Sequence, residues 1–220
     1  AYDLMPKALE AAASAGAAIA PSPAGAASGA EVVITMLPQS SDTENALFGP
    51  EGAAGALRPG AVVIDMGTGS PTLIRAMAAR LKETGIDLLD APVSGGVQKA
   101  KTGGLSIMAS GDSAAYARVL PVLSALGGEV FYVGGCGCGQ TIKLINNMLT
   151  GINLAGVCEG MVLGMKAGFD PRLLLEIINS SSGESYSSRV KVPGFILKRD
   201  FSGGFKARLQ HKDMNLATSL

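Results

Sequence analysis

The stretch Gly60-Ala-Val-Val-Ile-Asp-Met-Gly-Thr-Gly-Ser-Pro-Thr72 joins a β-branched run, a glycine-rich turn and the start of a helical pattern. A short apolar run with β-branched residues predicts a buried strand, and the alanine-rich stretch that follows predicts a helix. The same order recurs through the first two thirds of the chain. Strands that alternate with helices in this way predict a largely parallel, doubly wound sheet of the α/β class.

The alternation predicts strands at 31–36, 61–65, 87–90, 105–108 and 129–133, and helices at 6–15, 72–84 and 113–125. It stops after Gly139, where one long helical stretch at 141–167 begins. Asp170-Pro171 then supplies an N-cap and a proline at the first helical position, which predicts a further helix to about residue 180. We therefore expect an α/β domain at 1–138 and an all-helical domain at 139–220.

The composition is that of a globular protein with a large core. Of the 220 residues, 47% are hydrophobic and 16% are charged, and the formal net charge is zero, so no nucleic-acid partner is expected. The three cysteines are an odd number and are interpreted as reduced thiols. Cys136-x-Cys138 lacks a second Cys/His pair, so no metal site is predicted.

The long helical stretch is apolar, but we do not expect it to cross a membrane. Polar residues interrupt it, among them Asn146, Asn147, Asn153, Glu159 and Lys166. Glycines recur at every fourth position from 156 to 168 and form a ridge that allows close helix packing. The simplest interpretation of the ridge is close packing against another helix, and a subunit interface is the alternative place for that packing. The ridge and the apolar surface together favour a homodimer or homotetramer.

Asp90-Ala-Pro-Val-Ser-Gly-Gly96 follows a predicted strand, at the edge where α/β sheets bind ligands. The hydroxyl of Ser94 and the amides of Gly95 and Gly96 could bind a carboxylate, because glycine lets the backbone approach a ligand closely. A plain strand-to-helix turn explains the same pattern equally well.

A second glycine-rich segment, Gly134-Gly-Cys-Gly-Cys-Gly-Gln-Thr141, also lies between a strand and a helix. A phosphate-binding loop is one interpretation, but the Gly-Lys-Ser/Thr ending of a P-loop is absent. A hinge that admits a ligand beside the helix is the other interpretation, and the pattern favours it.

Lys143 and Asn147 lie four residues apart, so they project from one face of the long helix. We place Lys143 in the first turn, where the helix dipole disfavours a cation and eases the loss of its proton. Lys143 is therefore a candidate general acid/base. The alternative is a surface lysine, although its neighbours are apolar.

Together, Asp90–Gly96, Lys143-x-x-Asn-Asn147 and Lys212-Asp-Met-Asn-Leu-Ala217 resemble the successive motifs of the β-hydroxyacid dehydrogenases. That family includes 3-hydroxyisobutyrate dehydrogenase and tartronate semialdehyde reductase. The resemblance implies a Rossmann-type NAD-binding domain joined through a long helix to an all-α domain. It also implies hydride transfer between NAD and the 3-hydroxyl carbon of a small hydroxy acid, or reduction of a semialdehyde.

The resemblance assigns a role to each candidate residue. Lys143 is the general acid/base, Asn147 orients the substrate, and Ser94, Gly95 and Gly96 bind its carboxylate. The positions that would contact the cofactor are Asp3, Leu37, Pro38, Asp42, Thr68 and Lys212. Asp3 looks like the residue that binds the adenosine ribose, and its charge would repel a 2′-phosphate, so NAD is expected over NADP.

The chain departs from the family pattern in three places. It contains no Gly-x-Gly-x-x-Gly, so we expect the first strand and its glycine-rich turn to precede Ala1, and further helices to follow Leu220. Met66-Gly-Thr-Gly-Ser70 also replaces the usual Ser/Thr-rich loop near the nicotinamide.

Two alternative functions remain. One is an inactive relative that acts as an interaction module, and the other is a 6-phosphogluconate-type dehydrogenase. We expect a cytoplasmic protein, or a mitochondrial matrix protein if a presequence lies upstream.

Overall fold

The computed structural model describes residues 1–202 and 204–220. These residues form two compact units, 1–143 and 144–220, and the dividing point lies inside one long helix, Cys138–Lys166. The first unit is α/β and the second is helical. The predicted fold class, a Rossmann-type sheet followed by an all-α part, is confirmed.

The first unit contains the strands that the structure describes. They are β1 (Val32–Thr35), β2 (Val62–Asp65), β3 (Asp87–Asp90), β4 (Val93–Ser94), β5 (Leu105–Ala109) and β6 (Gly127–Tyr132). Its helices are α1 (Pro6–Ser14), α2 (Pro23–Ala27), α3 (Ser40–Phe48), α4 (Pro71–Lys82), α5 (Gly96–Ala100) and α6 (Ser113–Leu126), with a 3₁₀ turn at Ala53–Ala56.

The strands pair in two groups of three. Strands β1, β2 and β3 are parallel and in register, so Thr35 lies beside Asp65, and Asp65 beside Asp90, at their carboxyl ends. In the second group β5 pairs parallel with β6 and antiparallel with β4. An isolated bridge between Asp90 and Ser110 connects the groups. The largely parallel sheet was predicted, but the two-residue antiparallel strand β4 was not.

Alternate residues along β2 point to opposite faces of the sheet, and each face carries its own apolar cluster. Val62 and Ile64 pack with buried residues of α6, whereas Val63 packs with buried residues of α4. Helices therefore cover both faces, as a doubly wound sheet requires. The helical residues involved are Ala115, Val119 and Leu123 of α6, and Ile74, Met77 and Leu81 of α4.

The second unit contains most of α7 (Cys138–Lys166), then α8 (Pro171–Asn179), a π-helix at Ser187–Ile196 and α9 (Ala207–Thr218). Helix α8 starts as predicted, because the Asp170 carboxylate accepts hydrogen bonds from the amides of Arg172 and Leu173. Among the described residues of this unit, Met161, Leu175 and Val192 form one small cluster of buried apolar side chains.

By length and composition alone, α7 could cross a membrane, with a mean hydropathy of 1.4 over its most apolar window. This is weak evidence, because the core helix of a globular protein passes the same test. The expectation of no membrane partner stays a prediction.

A methyl group added at Gly156 or Gly160 would meet no atom within 4 Å, so that part of the glycine ridge is uncovered in the described structure, whereas Gly164 faces Leu174.

Candidate active site

The candidate site is built on the carboxyl ends of β1, β2 and β3, where Thr35, Asp65 and Asp90 are all buried. Thr35 Oγ1 donates a hydrogen bond to Asp65 Oδ1 at 2.8 Å, and Thr43 Oγ1 donates to the same atom at 3.3 Å. Burial raises the pKa of Asp65 and of Asp90 above the ordinary value, because desolvation penalises the ionised form.

The Asp90 carboxylate occupies the N-terminus of α7. Its Oδ1 accepts from the Gly137 amide at 2.8 Å, and its Oδ2 accepts from the Gln140 amide at 2.9 Å. Ser110 Oγ donates to Asp90 and accepts from the Gly139 amide at 2.9 Å. These are amides that a phosphate would need. The phosphate-loop interpretation of 134–141 is therefore wrong, because the protein's own groups satisfy these three amides.

Gln140 connects this helix start to the loop that follows β2. Its side-chain Oε1 accepts from the Gly69 amide at 2.8 Å, and its Nε2 donates to the Gly67 carbonyl at 2.9 Å. The backbone at Leu37 lies against the same loop, since a Cβ placed at Gly67 would fall 2.6 Å from the Leu37 carbonyl oxygen. The segments after β1, β2 and β3 and the start of α7 thus meet at one edge of the sheet.

Lys143 follows Gln140 by about one helical turn and is 7% exposed, so the surface-lysine interpretation is wrong. Its predicted position in the first turn is also wrong, because α7 begins at Cys138 and Lys143 falls in the second turn. The helix dipole acts mainly within the first turn, and here the Asp90 carboxylate faces it. Burial, rather than the dipole, distinguishes Lys143 from an ordinary lysine.

The Ser94 segment ends β4 and turns into the short helix α5. Gly95 and Gly96 have φ angles of +128° and +64°, in the region that glycine alone enters readily. A side chain at Gly95 would also collide with the side chain of Lys99, with 2.6 Å to its Cδ. The turn therefore requires both glycines, and Ser94 lies four residues after the buried Asp90.

Thr68 stands between the two glycines that Gln140 holds, and it is half-buried. Leu37 is half-buried and Pro38 is exposed, just after β1, while Asp42 lies in the first turn of α3. Asp3 is exposed, and its carboxylate accepts a hydrogen bond from the Met5 amide at 2.7 Å. Thr68 and Leu37 thus lie at the edge formed by the carboxyl ends of β1, β2 and β3. Among the described residues, no hydrogen bond or ion pair joins Asp3 to that edge.

In the second unit Asn147 is buried and fixed by α9. Its Nδ2 donates to Asp213 Oδ2 at 2.6 Å, and its carbonyl oxygen accepts from Gln210 Nε2 at 2.8 Å. Lys212 is half-buried, with its Nζ 3.1 Å from Asp213 Oδ1. The structure thus places Asn147 and Lys212 around one buried carboxylate.

Four residues of this arrangement had been given no role from the sequence: Asp65, Asp90, Gln140 and Asp213. An aspartate at the end of an apolar strand was a visible signal for the first two. Gln140 carried no signal, because its partners lie about seventy residues away along the chain.

The edge fits a nicotinamide dinucleotide in its chemistry. Met36 is 55% exposed at the end of β1, next to the exposed Pro38, and these apolar groups suit a flat ring. Open α/β sheets bind dinucleotides at the carboxyl ends of their strands. Leu37, Pro38 and Thr68 are the residues that would contact it.

Comparison with known proteins supports a nicotinamide-binding protein. Residues 1–134 match the model of the NAD-binding domain of 6-phosphogluconate dehydrogenase, and residues 137–220 match that of the NAD-binding domain of NADP-dependent 3-hydroxyisobutyrate dehydrogenase.

The chain is 40% identical to 2-(hydroxymethyl)glutarate dehydrogenase of Eubacterium barkeri, over 99% of this chain and 72% of that one. It is 38% identical to NAD-dependent L-serine dehydrogenase of Pseudomonas aeruginosa, over 98% of this chain and 74% of that one. Among solved structures, 3-hydroxyisobutyrate dehydrogenase of Mycobacterium tuberculosis with L-serine superposes with a TM-score of 0.90 at 33% identity, over 99% of this chain and 76% of that one. The chain belongs to the β-hydroxyacid dehydrogenase family.

Proposed function

We propose that this protein transfers a hydride between NAD and the 3-hydroxyl carbon of a small 3-hydroxy acid, or reduces the corresponding semialdehyde. The observation that carries the proposal is a buried lysine, Lys143, one helical turn beyond the point where three strand ends and the start of α7 meet. The nicotinamide supplies the redox chemistry, and the protein supplies placement and the proton.

In the proposed mechanism the Nζ of Lys143 takes the proton of the 3-hydroxyl group during oxidation and returns it during reduction. Ser94 and the amides of Gly95 and Gly96 bind the substrate carboxylate. Asn147 orients the substrate, and its amide is suited to this because Asp213 fixes one end of it.

For the cofactor we propose contacts from Asp3, Leu37, Pro38, Asp42, Thr68 and Lys212, with NAD preferred over NADP. The support for this preference is the carboxylate of Asp3, which would repel a 2′-phosphate. The name of the Pseudomonas relative specifies NAD, whereas the family model that residues 137–220 match is named for an NADP-dependent enzyme, so the carboxylate of Asp3 carries the proposed preference.

The names of the relatives narrow the substrate class. L-Serine, 3-hydroxyisobutyrate and 2-(hydroxymethyl)glutarate all contain a carboxylate, a carbon 2 that bears a variable group, and a terminal hydroxymethyl group. The substrate we propose for this protein has the same 3-hydroxypropanoate unit.

The test is a substrate panel for the full-length protein, followed by absorbance of the reduced nicotinamide with NAD and with NADP. The panel contains the three acids above and glycerate, with 6-phosphogluconate to represent the sugar-phosphate alternative. Turnover of a 3-hydroxy acid with a preference for NAD is the expected result. NAD binding without turnover of any member would favour an inactive interaction module, and turnover of 6-phosphogluconate alone would replace the proposed substrate class.

We also propose a homodimer or homotetramer in the cytoplasm. The apolar side chains that the second unit leaves exposed support the oligomer, among them Leu163 at 71% exposure and Phe201 at 82%.

A further inference from the structure

We propose that Gln140 and Asp90 are positioning residues, which hold the helix that carries Lys143 against the loop that carries Thr68. This inference rests on the proposed roles of Lys143 and Thr68. Neither Gln140 nor Asp90 needs to touch the substrate or the cofactor.

The first step is the attachment of the helix to the sheet. The Asp90 carboxylate accepts amide hydrogen bonds from Gly137 and Gln140, and Ser110, which also bonds Asp90, accepts the amide of Gly139. Asp90 and Ser110 are both fully buried. Hydrogen bonds to a buried carboxylate are strong and directional, so the start of α7 has one position relative to the end of β3.

The second step is the attachment of the loop to the helix. The two hydrogen bonds of the Gln140 side chain run to the loop residues on either side of Thr68, namely to the Gly67 carbonyl and the Gly69 amide. Ser40 Oγ accepts the next amide, that of Ser70, at 2.8 Å. A side chain that both donates to and accepts from a loop fixes its backbone orientation, which neither an apolar nor a purely accepting side chain could do.

The third step is the consequence for catalysis. Lys143 lies three residues beyond Gln140 on the same helix, and Thr68 lies inside the loop that Gln140 grips. The side chain of Gln140 therefore fixes the position of Lys143, the proposed proton-transfer group, relative to Thr68, the proposed cofactor contact. Since a displacement of about 1 Å can cost about a hundredfold in rate, this attachment should affect kcat more than substrate binding.

The main test replaces Gln140 by leucine, which has a similar size and makes no hydrogen bonds. In the full-length protein we expect Gln140→Leu to lower kcat about tenfold to a hundredfold, with the KM for the hydroxy acid within about twofold, because Ser94 to Gly96 is unaffected. Hydrogen exchange of the Gly69 amide should speed up about tenfold or more, a readout that needs neither cofactor nor turnover. Glu159→Gln, an exposed change on the same helix, should leave both values unchanged.

A second variant keeps the proposal testable if the leucine variant does not fold. In Gln140→Glu the introduced carboxyl imitates the amide only when it is protonated, because only then can it donate to the Gly67 carbonyl. We therefore expect its kcat relative to the unmodified protein to rise as the pH falls. The nearest ionisable group is Asp90, which accepts the backbone amide of Gln140; Asp65 and Cys136 interact with Asp90, Arg75 interacts with Cys136, and Lys143 lies one turn further along the helix. All of them are present in both proteins, so a pH dependence seen only in the variant reports the introduced carboxyl and its effect on these neighbours.

Unchanged kcat and unchanged Gly69 exchange in Gln140→Leu would overturn the proposal, as would a flat pH ratio in Gln140→Glu. Failure of the proposed function is distinguishable from this outcome. In that case the unmodified protein turns over no hydroxy acid, while exchange at Gly69 still reports whether Gln140 holds the loop.

Discussion

Lys143 is the residue whose environment most constrains the chemistry. Its side chain is buried, so its Nζ has little contact with bulk water and can be held in one position beside a bound substrate. Lys143 is only 7% exposed and lies close to the carboxyl edge of a Rossmann-type sheet. This burial supports a role in catalysis more strongly than the sequence motif alone does. The sequence pattern identified this residue on the basis of the helix dipole. The structure contradicts that basis, because Lys143 lies in the second turn of α7.

Lys143→Ala tests its role directly. We expect kcat to fall by about 10²- to 10⁴-fold, the usual contribution of a general acid or base, because no group is then placed to move the hydroxyl proton. Binding of reduced nicotinamide, measured by its fluorescence, should stay within about threefold of the unmodified protein. Normal turnover in this variant would contradict the mechanism, whereas loss of cofactor binding would instead give Lys143 a structural role.

Cys136 offers a prediction about pH. The three cysteines are free thiols, and burial together with the nearby Asp90 raises the pKa of Cys136 to about 12 from an ordinary value near 9.0. Only the thiolate reacts with iodoacetamide, so at pH 8 we expect alkylation of Cys136 to be about a hundredfold or more slower in the folded protein than in the unfolded chain. Its rate should rise with pH as long as the fold persists.

Tandem mass spectrometry of the tryptic peptide 119–143 gives the alkylation rate of Cys136, because its fragment ions separate Cys136 from Cys138. The same cysteine in guanidinium chloride is the control. Equal rates in the two states would mean that the loop before α7 opens readily. That result would also weaken the argument that Asp90 holds the loop in place.

At the scale of single elements, the start of α7 is tightly packed against β3 and β5. A Cβ at Gly139 would lie 2.2 Å from the Met108 carbonyl oxygen and 2.9 Å from Asp90 Oδ2, whereas a Cβ at Gly135 would meet nothing within 4 Å. We expect Gly139→Ala to lower the free energy of unfolding by about 2 kcal/mol or more, because backbone must shift.

Gly135→Ala is the matched control and should change the free energy of unfolding by less than about 0.5 kcal/mol. Chemical denaturation of both variants measures the difference. Similar values for the two would show that α7 tolerates movement at its first turn, contrary to the tight attachment described above.

Five strands and most of the longer helices were predictable, whereas the shortest elements and the nine-residue helix α3 were not. Strands β1, β2, β3, β5 and β6 and helices α1, α4, α6 and α8 overlap the predicted ranges, because burial on both faces of a sheet leaves a clear apolar pattern. Helices α2 and α5 have five residues each, too few to show a periodicity. Strand β4 is fixed by its pairing with β5, a tertiary contact that no local pattern encodes.

The same distinction applies to the site. Ser94, Lys143 and Asn147 were recognisable because each lies in a motif of adjacent residues. Gln140 acts through partners near residue 68, and Asp213 acts through Asn147, so both depend on contacts across more than sixty residues. The contacts that support a site are therefore less visible in a single sequence than the residues that perform the chemistry.

At the scale of the whole molecule, the second unit exposes many apolar side chains. Its buried core is small, while Ile152, Val162, Leu163 and Met165 of α7 are all more than half exposed. Apolar side chains on this scale usually mark an interface. The glycines of α7 add to this, because Gly156 and Gly160 leave room for another helix backbone to approach closely.

Gly160→Leu tests whether the ridge lies in a subunit interface. The change should be tolerated within one chain, because a Cβ at Gly160 meets no atom within 4 Å, but it would block close approach of a second helix. We expect sedimentation velocity to show a dimer or tetramer for the unmodified protein and a smaller species for Gly160→Leu, with an unchanged circular dichroism spectrum. Gly55→Leu, at an exposed glycine of the first unit with similar space, should keep the oligomer. An unmodified protein that is monomeric would contradict the predicted assembly, and an intact oligomer in Gly160→Leu would place the interface elsewhere on the apolar surface.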